Sequence, residues 1–445
     1  MNNATKQRPT GFKPSEISAL INEEVVQQHA EEAAFQWLLR DAAVFAPNYN
    51  LARLADLDER VEANVDGLRV AGNYGWKLCE EQLVYNEPGE IFAAGVLAFE
   101  SGDEERIQKV LEVVETEKEL SRALISSLGW ISYQLIERRL DRLLTSDVDM
   151  HRRVGIGGYA VHRKDPGPGL INVVHDGEPM ARARAFKAVG ELGRVDLVPI
   201  LLGQVSDRDE ACHFYAAWST ARLGSRAENV IAMLGDYIVL ASDYAEKALS
   251  MVLRCLQLDQ ARKLYQKLKT SPDHLRLACI GAGIIGDPIL IPDLIELMTH
   301  KYVARVAGEA FSMITGIDIE YNDLDQKAPD VIEAGPTENP EDEDVALDPD
   351  EDLPWPEPDL VRKWWADHRT SFVTGKRYLA GQPVSPKNCR TILATGFQRQ
   401  RMAAALEIAL MEPRRPLFET RDRGYRQQRL LGINKWALFH DDTGK

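Results

Sequence analysis

Apolar positions in the middle of this chain follow two rhythms at once. Within short stretches they return every three or four residues, and the whole pattern returns after 31. The Ala-rich amphipathic runs ARARAFKAVGELG, ACHFYAAWSTARLG and LRLACIGAGIIG end at Gly193, Gly224 and Gly286, spaced 31 and 62 residues apart, and Cys255 holds the position between the last two. A second apolar run follows, VDLVPILLGQV after Gly193 and DPILIPDLIELM after Gly286, with Pro199 and Pro292 at the same point, 93 residues apart. Each unit is therefore predicted to be a pair of helices. One pair cannot bury its apolar face alone, so repetition at this period predicts stacked neighbours sharing a continuous core.

The same pattern organises the rest of the chain. Residues 1–15 read as a disordered lead. Over 16–87, helical patterns at 16–46 and 51–68 and a shorter one at 72–83 are expected to cap the array, since the end of a stack needs one polar face. The array itself fills 88–322. Its later units start near Met180, Asp209, Asp243 and Asp273, with Asp and Ser as expected N-caps. The eighth unit is broken: a first helix at 302–314 ends at Thr315-Gly316, and no second helix follows directly. An acidic, Pro-rich loop spans 323–358, with prolines at 329, 336, 340, 349, 354, 356 and 358. Its composition predicts disorder in isolation. The final segment, 359–445, is expected to hold the delayed second helix at 359–372 and a last pair, NCRTILATGFQRQRMAAALEIAL. Its tail is expected to pack back through Leu430, Leu431 and Trp436.

Composition changes the picture in one respect. The net charge of −16 is concentrated: residues 321–360 hold 15 acids and one base, Lys327, leaving 54 acids and 52 bases elsewhere. The body is nearly neutral and offers no basic surplus for nucleic-acid phosphates. No run of 18 apolar residues suggests a membrane span, and the first residues show no secretory signal. Five scattered cysteines without a CxxC pair suit reduced thiols, so a cytoplasmic location is expected.

The repeated runs resemble HEAT-like repeats, also seen in phycobilisome-lyase-type proteins. HAEEAAFQWLLRD, DERVEANVDGLRVAG, AGEAFSMITGIDIE, LPWPEPDLVRKWW and GFQRQRMAAALEIAL together resemble one uncharacterised family of bacterial HEAT-like proteins, from His29 to about Leu431. The resemblance implies an all-α HEAT-like solenoid, an α-α superhelix, carrying the disordered acidic insertion. Members of that family occur in Gram-negative bacteria, some in type VI secretion gene neighbourhoods, and no catalytic residues of the family transfer to this chain.

Candidate chemistry is sparse. There is no HExxH, and His151 and His162 lie three helical turns apart, too far to share a metal. Gly155-Ile156-Gly157-Gly158 lacks the Lys-Ser/Thr ending of a phosphate loop and sits inside a helical pattern, where close packing explains it better. Asp344, Asp348, Asp350 and Asp352 have the density of a calcium loop, but Pro349 interrupts them and no glycine stands at the sixth position. No metal, cofactor or catalytic residue is assigned, and the chain is expected to be non-enzymatic. Binding candidates remain. One is the acidic loop with its aromatic exit: Asp344, Asp348, Asp350, Trp355, Trp364 and Trp365. Adjacent helical positions should leave one of Trp364 and Trp365 in the core and the other on the surface. Another is the basic spot Arg138, Arg139 and Arg142 on a second helix, a class expected to line the inner face. A third is the inner face itself. The acidic loop is also a candidate to fold back onto those arginines. The function expected is a protein–protein adaptor or scaffold, with type VI effector loading implied by the resemblance. The alternative is an immunity protein that neutralises a toxin, its acidic loop opposing a basic nuclease. Neither reading calls for a nucleic acid or a membrane.

Overall fold

A computed structural model describes residues 22–240, 242–329, 348 and 350–433. Among the described residues the fold is all-helical, with 22 α-helices and two antiparallel ladders of two-residue strands, all of the strands lying beyond residue 324. The expected lead at 1–15, Asp344 and Trp436 lie outside the described residues. The chain divides into two compact units, Met1–Leu39 with Leu57–Ile131, and Arg40–Asp56 with Ser132–Lys445. Two of the three divisions fall inside the helices Glu23–Ala43 and Leu51–Ala71, and the third falls between Ser121–Trp130 and Tyr133–Leu144.

The first unit is built around the helix Pro88–Ser101. Proline at its first position suits the start of a helix, because its missing N–H has no intrahelical partner there. Ile91 to Phe99 are buried on every side of this helix. Phe92 stacks on Trp37 with ring centroids 5.0 Å apart and meets the edge of Trp130 at 5.3 Å. The Trp37 indole N–H donates to Ser126 at 3.1 Å, so the buried ring leaves no orphan donor.

In the second unit, the first helix of each pair packs on the first helix of the next. The order is Asp149–Val161, Pro179–Leu192, Glu210–Arg222, Ala245–Cys255, Leu275–Ile285 and Ala304–Thr315. These helices are buried almost all round because their small side chains let backbones approach; Ala181, Ala183, Ala185 and Ala188 all lie in the core. The second helices are one-sided. Tyr133–Leu144 buries Ile136, Leu140, Leu143 and Leu144 and turns its charges to solvent.

The repeating glycines end the first helices. Gly193, Gly286 and Gly316 take left-handed conformations with φ of 77°, 69° and 75°, which a Cβ disfavours. They also lie under returning chain. A Cβ on Gly193 would stand 2.6 Å from the Arg414 carbonyl oxygen, and Tyr378 donates its N–H to the Gly286 carbonyl at 2.8 Å. At position 255 the helix leaves into extended backbone at Leu256 instead, so cysteine is tolerated there.

The broken eighth unit is closed at its base. Asp325–Gln326 pairs with Trp355–Pro356, and Glu357 donates to the Leu324 carbonyl at 2.8 Å. The delayed helix, Pro358–His368, follows at once. It packs on Ile291–Leu297 and buries Val361 in the core. The last pair is Pro386–Thr395 and Gln398–Met411. Gln398–Met411 is buried on all faces, polar ones included, because the chain surrounds it. Glu407 accepts from Arg254 at 2.9 Å and Arg377 at 2.5 Å, and Arg399 reaches Glu309 at 2.8 Å.

Candidate functional site

Two clusters of cations stand on the first helices of the second unit. Arg276 and Arg305 sit near the starts of the adjacent helices Leu275–Ile285 and Ala304–Thr315. The end of the acidic segment lies across both. Asp350, only 5 % exposed, takes two hydrogen bonds from the Arg276 guanidinium, and its carbonyl accepts from Arg305 at 2.7 Å. Asp348 pairs with Arg305 and accepts the Asp350 N–H at 2.9 Å, a local turn that aims both carboxylates the same way. Arg399 approaches Asp350 at 3.5 Å, and the Arg305 guanidinium lies 4.9 Å from the Trp355 ring centre. Partial burial works to raise the Asp348 carboxyl, but the Asp350 N–H and Arg305 outweigh it and hold the group below its ordinary range. Burial raises Glu309 despite Arg399 beside it.

The second cluster surrounds Lys187 on the helix Pro179–Leu192. Its amine lies 5.5 Å from the Tyr215 ring centre and 3.8 Å from Glu191, with 30 % of the side chain exposed. Glu191 already pairs with Arg184 at 2.9 Å. Desolvation pushes the Lys187 amine down to about 7; Glu191 opposes this, while Arg421, Arg184 and Lys247 reinforce it. Glu191 is held at about 2: burial works to raise it, and Arg184, Lys187 and Arg163 overcome that. Tyr215 is pushed up to about 12, chiefly by burial, with Tyr244 and Glu191 adding to it. Aromatic rings continue from there. Tyr244 meets the Tyr215 edge at 5.9 Å, stacks on Phe214 at 4.2 Å, and carries Lys247 at 5.7 Å.

The structure brings together some of the residues singled out in the sequence. Asp348, Asp350 and Trp355 meet at Arg276 and Arg305. Arg138 and Arg142 are exposed on Tyr133–Leu144, and Arg139 donates to the Leu135 carbonyl at 2.6 Å on the same helix. The described carboxylates thus settle on first-helix arginines and not on this trio. Trp364 and Trp365 are both half-buried, contrary to the expected split between core and surface. Trp364 packs edge-on to Phe311 at 5.6 Å and stacks on His368 at 4.2 Å; Trp365 leans on Phe372 at 5.4 Å. Among the described residues no three His, Cys, Asp or Glu side chains group as metal ligands. Asp348 and Asp350 are engaged by arginines. His151 meets Ser146 at 3.0 Å, and His162 packs on Tyr133. Gly155 lies where a Cβ would press on Leu143 and Leu144.

The segment 413–417 lies against the ends of two first helices. Arg222, fully buried, donates to the carbonyls of Pro413 and Arg415, and Leu417 donates to the Glu191 carbonyl at 2.8 Å. In the first unit, Phe35, Leu38 and Leu39 keep 55 %, 40 % and 44 % of their surface exposed, an apolar stripe on a helix whose other face is core. Among the described residues no helix is long and apolar enough to cross a membrane.

Arg276, Arg305 and Lys187 were not singled out in the sequence. For the two arginines the signal that could have found them is the repeat spacing, whereas Lys187 lies off that register, three residues after Arg184. Arg153, Arg184, Tyr215, Glu246, Arg276 and Arg305 follow one another at 31, 31, 31, 30 and 29 residues. At the far end of this series the side chains are linked: Glu246 pairs with Arg276 at 3.5 Å, and Arg276 and Arg305 share Asp350.

Comparison with known proteins adds little. No family model and no curated protein matches this chain. A crystal structure of an engineered protein is similar at 14 % identity, over 67 % of this chain and 97 % of that one, with a TM-score of 0.31. A likeness at that level carries no argument here.

Proposed function

We propose that this protein is a non-enzymatic scaffold that binds another protein along a HEAT-like solenoid. The observation that carries the reading is the side-by-side packing of first helices from Asp149–Val161 to Ala304–Thr315, with charged and aromatic side chains in one row at the repeat spacing. A surface of that kind is assembled from many equivalent positions and suits an extended partner. The resemblance to bacterial HEAT-like proteins near type VI secretion genes supports a cytoplasmic adaptor that loads or assembles a secreted effector. The acidic run in 321–360 is the feature that favours an immunity role instead.

Deleting the gene in its native strain and measuring effector in the culture medium tests the adaptor. Loss of secretion, restored by the intact gene, is the expected result. Unchanged secretion, together with rescue of growth when the chain is co-expressed with a neighbouring toxin, replaces the adaptor with the immunity reading.

A further inference from the structure

We infer that Arg276 and Arg305 form a docking site for an acidic segment of a partner protein, and that Asp348 and Asp350 occupy this site in cis, keeping it closed until the partner competes. The assignment rests on the scaffold reading and names the partner's chemistry and the means of control.

The two arginines stand near the starts of the adjacent helices Leu275–Ile285 and Ala304–Thr315, so they present two guanidinium groups to whatever lies across that face. What lies there is a short turn carrying two carboxylates. Arg276 donates to the Asp350 carboxylate, one of its bonds at 3.2 Å; Arg305 pairs with Asp348 and donates to the Asp350 carbonyl at 2.7 Å. The turn is complete in itself. The Asp350 N–H bonds to the Asp348 carboxylate at 2.9 Å, and the N–H groups of Glu351 and Leu353 bond to the carbonyls of Asp348 and Asp350 at 3.1 and 2.9 Å. It therefore meets the two arginines through two carboxylates and one carbonyl, which another Asp-x-Asp turn supplies equally well. The returning C-terminal segment is held differently. Tyr378 and Leu417 donate backbone N–H groups to the carbonyls of Gly286 and Glu191, both at 2.8 Å, so that segment is joined to the helices backbone to backbone.

Two further observations suit exchange. Arg276 keeps 36 % of its side chain exposed with Asp350 on it, so an incoming carboxylate reaches the guanidinium before Asp350 leaves. Beyond the turn the chain is anchored: Leu353 is buried, and Trp355–Pro356 pairs with Asp325–Gln326. The turn can swing out ahead of Leu353 while Trp355, 4.9 Å from Arg305, stays behind as an aromatic wall. A basic partner needs no such release, because Glu351 and Asp352 are already exposed. Opening the site changes matters for an acidic ligand.

The test uses the full chain and a fluorescent peptide, ALDPDEDLP, copied from residues 346–354, with binding read by anisotropy. Asp348→Asn with Asp350→Asn opens the site and should bind the peptide about tenfold or more tighter than the wild type does. Adding Arg276→Gln and Arg305→Gln should return the affinity to the wild-type level, and added salt should weaken binding to the opened chain. The peptide ALNPNEDLP, still acidic but without the two matching carboxylates, should lose the gain. If the double variant fails to fold, Asp348→Asn alone should still give a gain of about threefold, since Arg305 loses its carboxylate and keeps the Asp350 carbonyl. Equal binding by the wild type and the opened chains overturns the proposal. So does a gain that survives replacement of the arginines or of the peptide's two aspartates. Loss of secretion in the deletion strain combined with either overturning result keeps the scaffold and removes this site. Unchanged secretion combined with the expected binding keeps the site and removes the adaptor.

Discussion

Arg276 and Arg305 stand in the first turn of adjacent helices, and Arg184 and Lys187 stand in the second and third turns of another, yet the two groups keep different company. Asp348 and Asp350 come to the first pair from a segment more than 40 residues along the chain. Arg184 and Lys187 share one carboxylate, Glu191, from their own helix. In the first case the acid arrives with backbone carbonyls and a tryptophan, so both charges are hydrogen-bonded and Asp350 is buried. In the second the cations repel one another and part of Lys187 remains in solvent. The two groups have similar chemistry, and what separates them is which element brings the counter-charge. A buried pair whose partners come from distant segments fixes the fold. A pair made within one helix, by contrast, fixes only the local arrangement of its own side chains.

The largest effect that would break this comparison is at the covered group. Arg276→Ala leaves Asp350 buried with Arg399 at 3.5 Å as its remaining cation. A loss of about 3 kcal/mol of stability is expected in urea unfolding. A loss near zero would mean that the acidic segment rests on the helices without holding them.

Lys187→Met should act in the opposite direction. Removing a desolvated and repelled amine is expected to stabilise the chain by about 1 kcal/mol near neutral pH. The sign changes little, but the size depends on pH. Lys187 is depressed to about 7 in the folded chain, and an unfolded lysine titrates near its ordinary value of about 10.4. Between those values the unfolded chain binds the extra proton, so wild-type stability rises with pH across that window and the variant lacks this rise. The advantage of Lys187→Met should therefore be greatest at pH 6 and fade toward pH 10. Urea midpoints at four pH values measure it, and a pH-independent difference would show that packing, not charge, is responsible.

Much of this was legible in the sequence, for physical reasons that differ by residue. The helices could be read because small and apolar residues recur at helical spacing. Their ends could be read because the left-handed caps at Gly193 and Gly286 demand glycine. That the same glycines lie beneath Arg414 and Tyr378 could not be read, since those contacts join segments separated by 221 and 92 residues. Arg138, Arg139 and Arg142 drew notice because they are close in sequence. Arg276, Arg305 and Lys187 are isolated in sequence and become neighbours of other charges only when helices stack. The tryptophans mislead for a related reason. A helix with one core side should split Trp364 from Trp365, but Phe311 packs on the first ring and Phe372 on the second, so each is half-sheltered.

The smallest expected effect sharpens the comparison at its aromatic part. Trp355 covers Arg305 at 4.9 Å, as Tyr215 covers Lys187 at 5.5 Å. Trp355→Leu keeps apolar cover and removes the ring face that attracts the cation. A partly desolvated cation–π contact is worth about 1 kcal/mol, so stability should fall by about that much. Arg305 would keep Asp348 and the Asp350 carbonyl. Combined with Arg276→Ala, the change should therefore cost less than additively, because a segment already loosened gains little from the ring. Full additivity in a double-mutant cycle would mean that tryptophan and aspartates hold the segment independently.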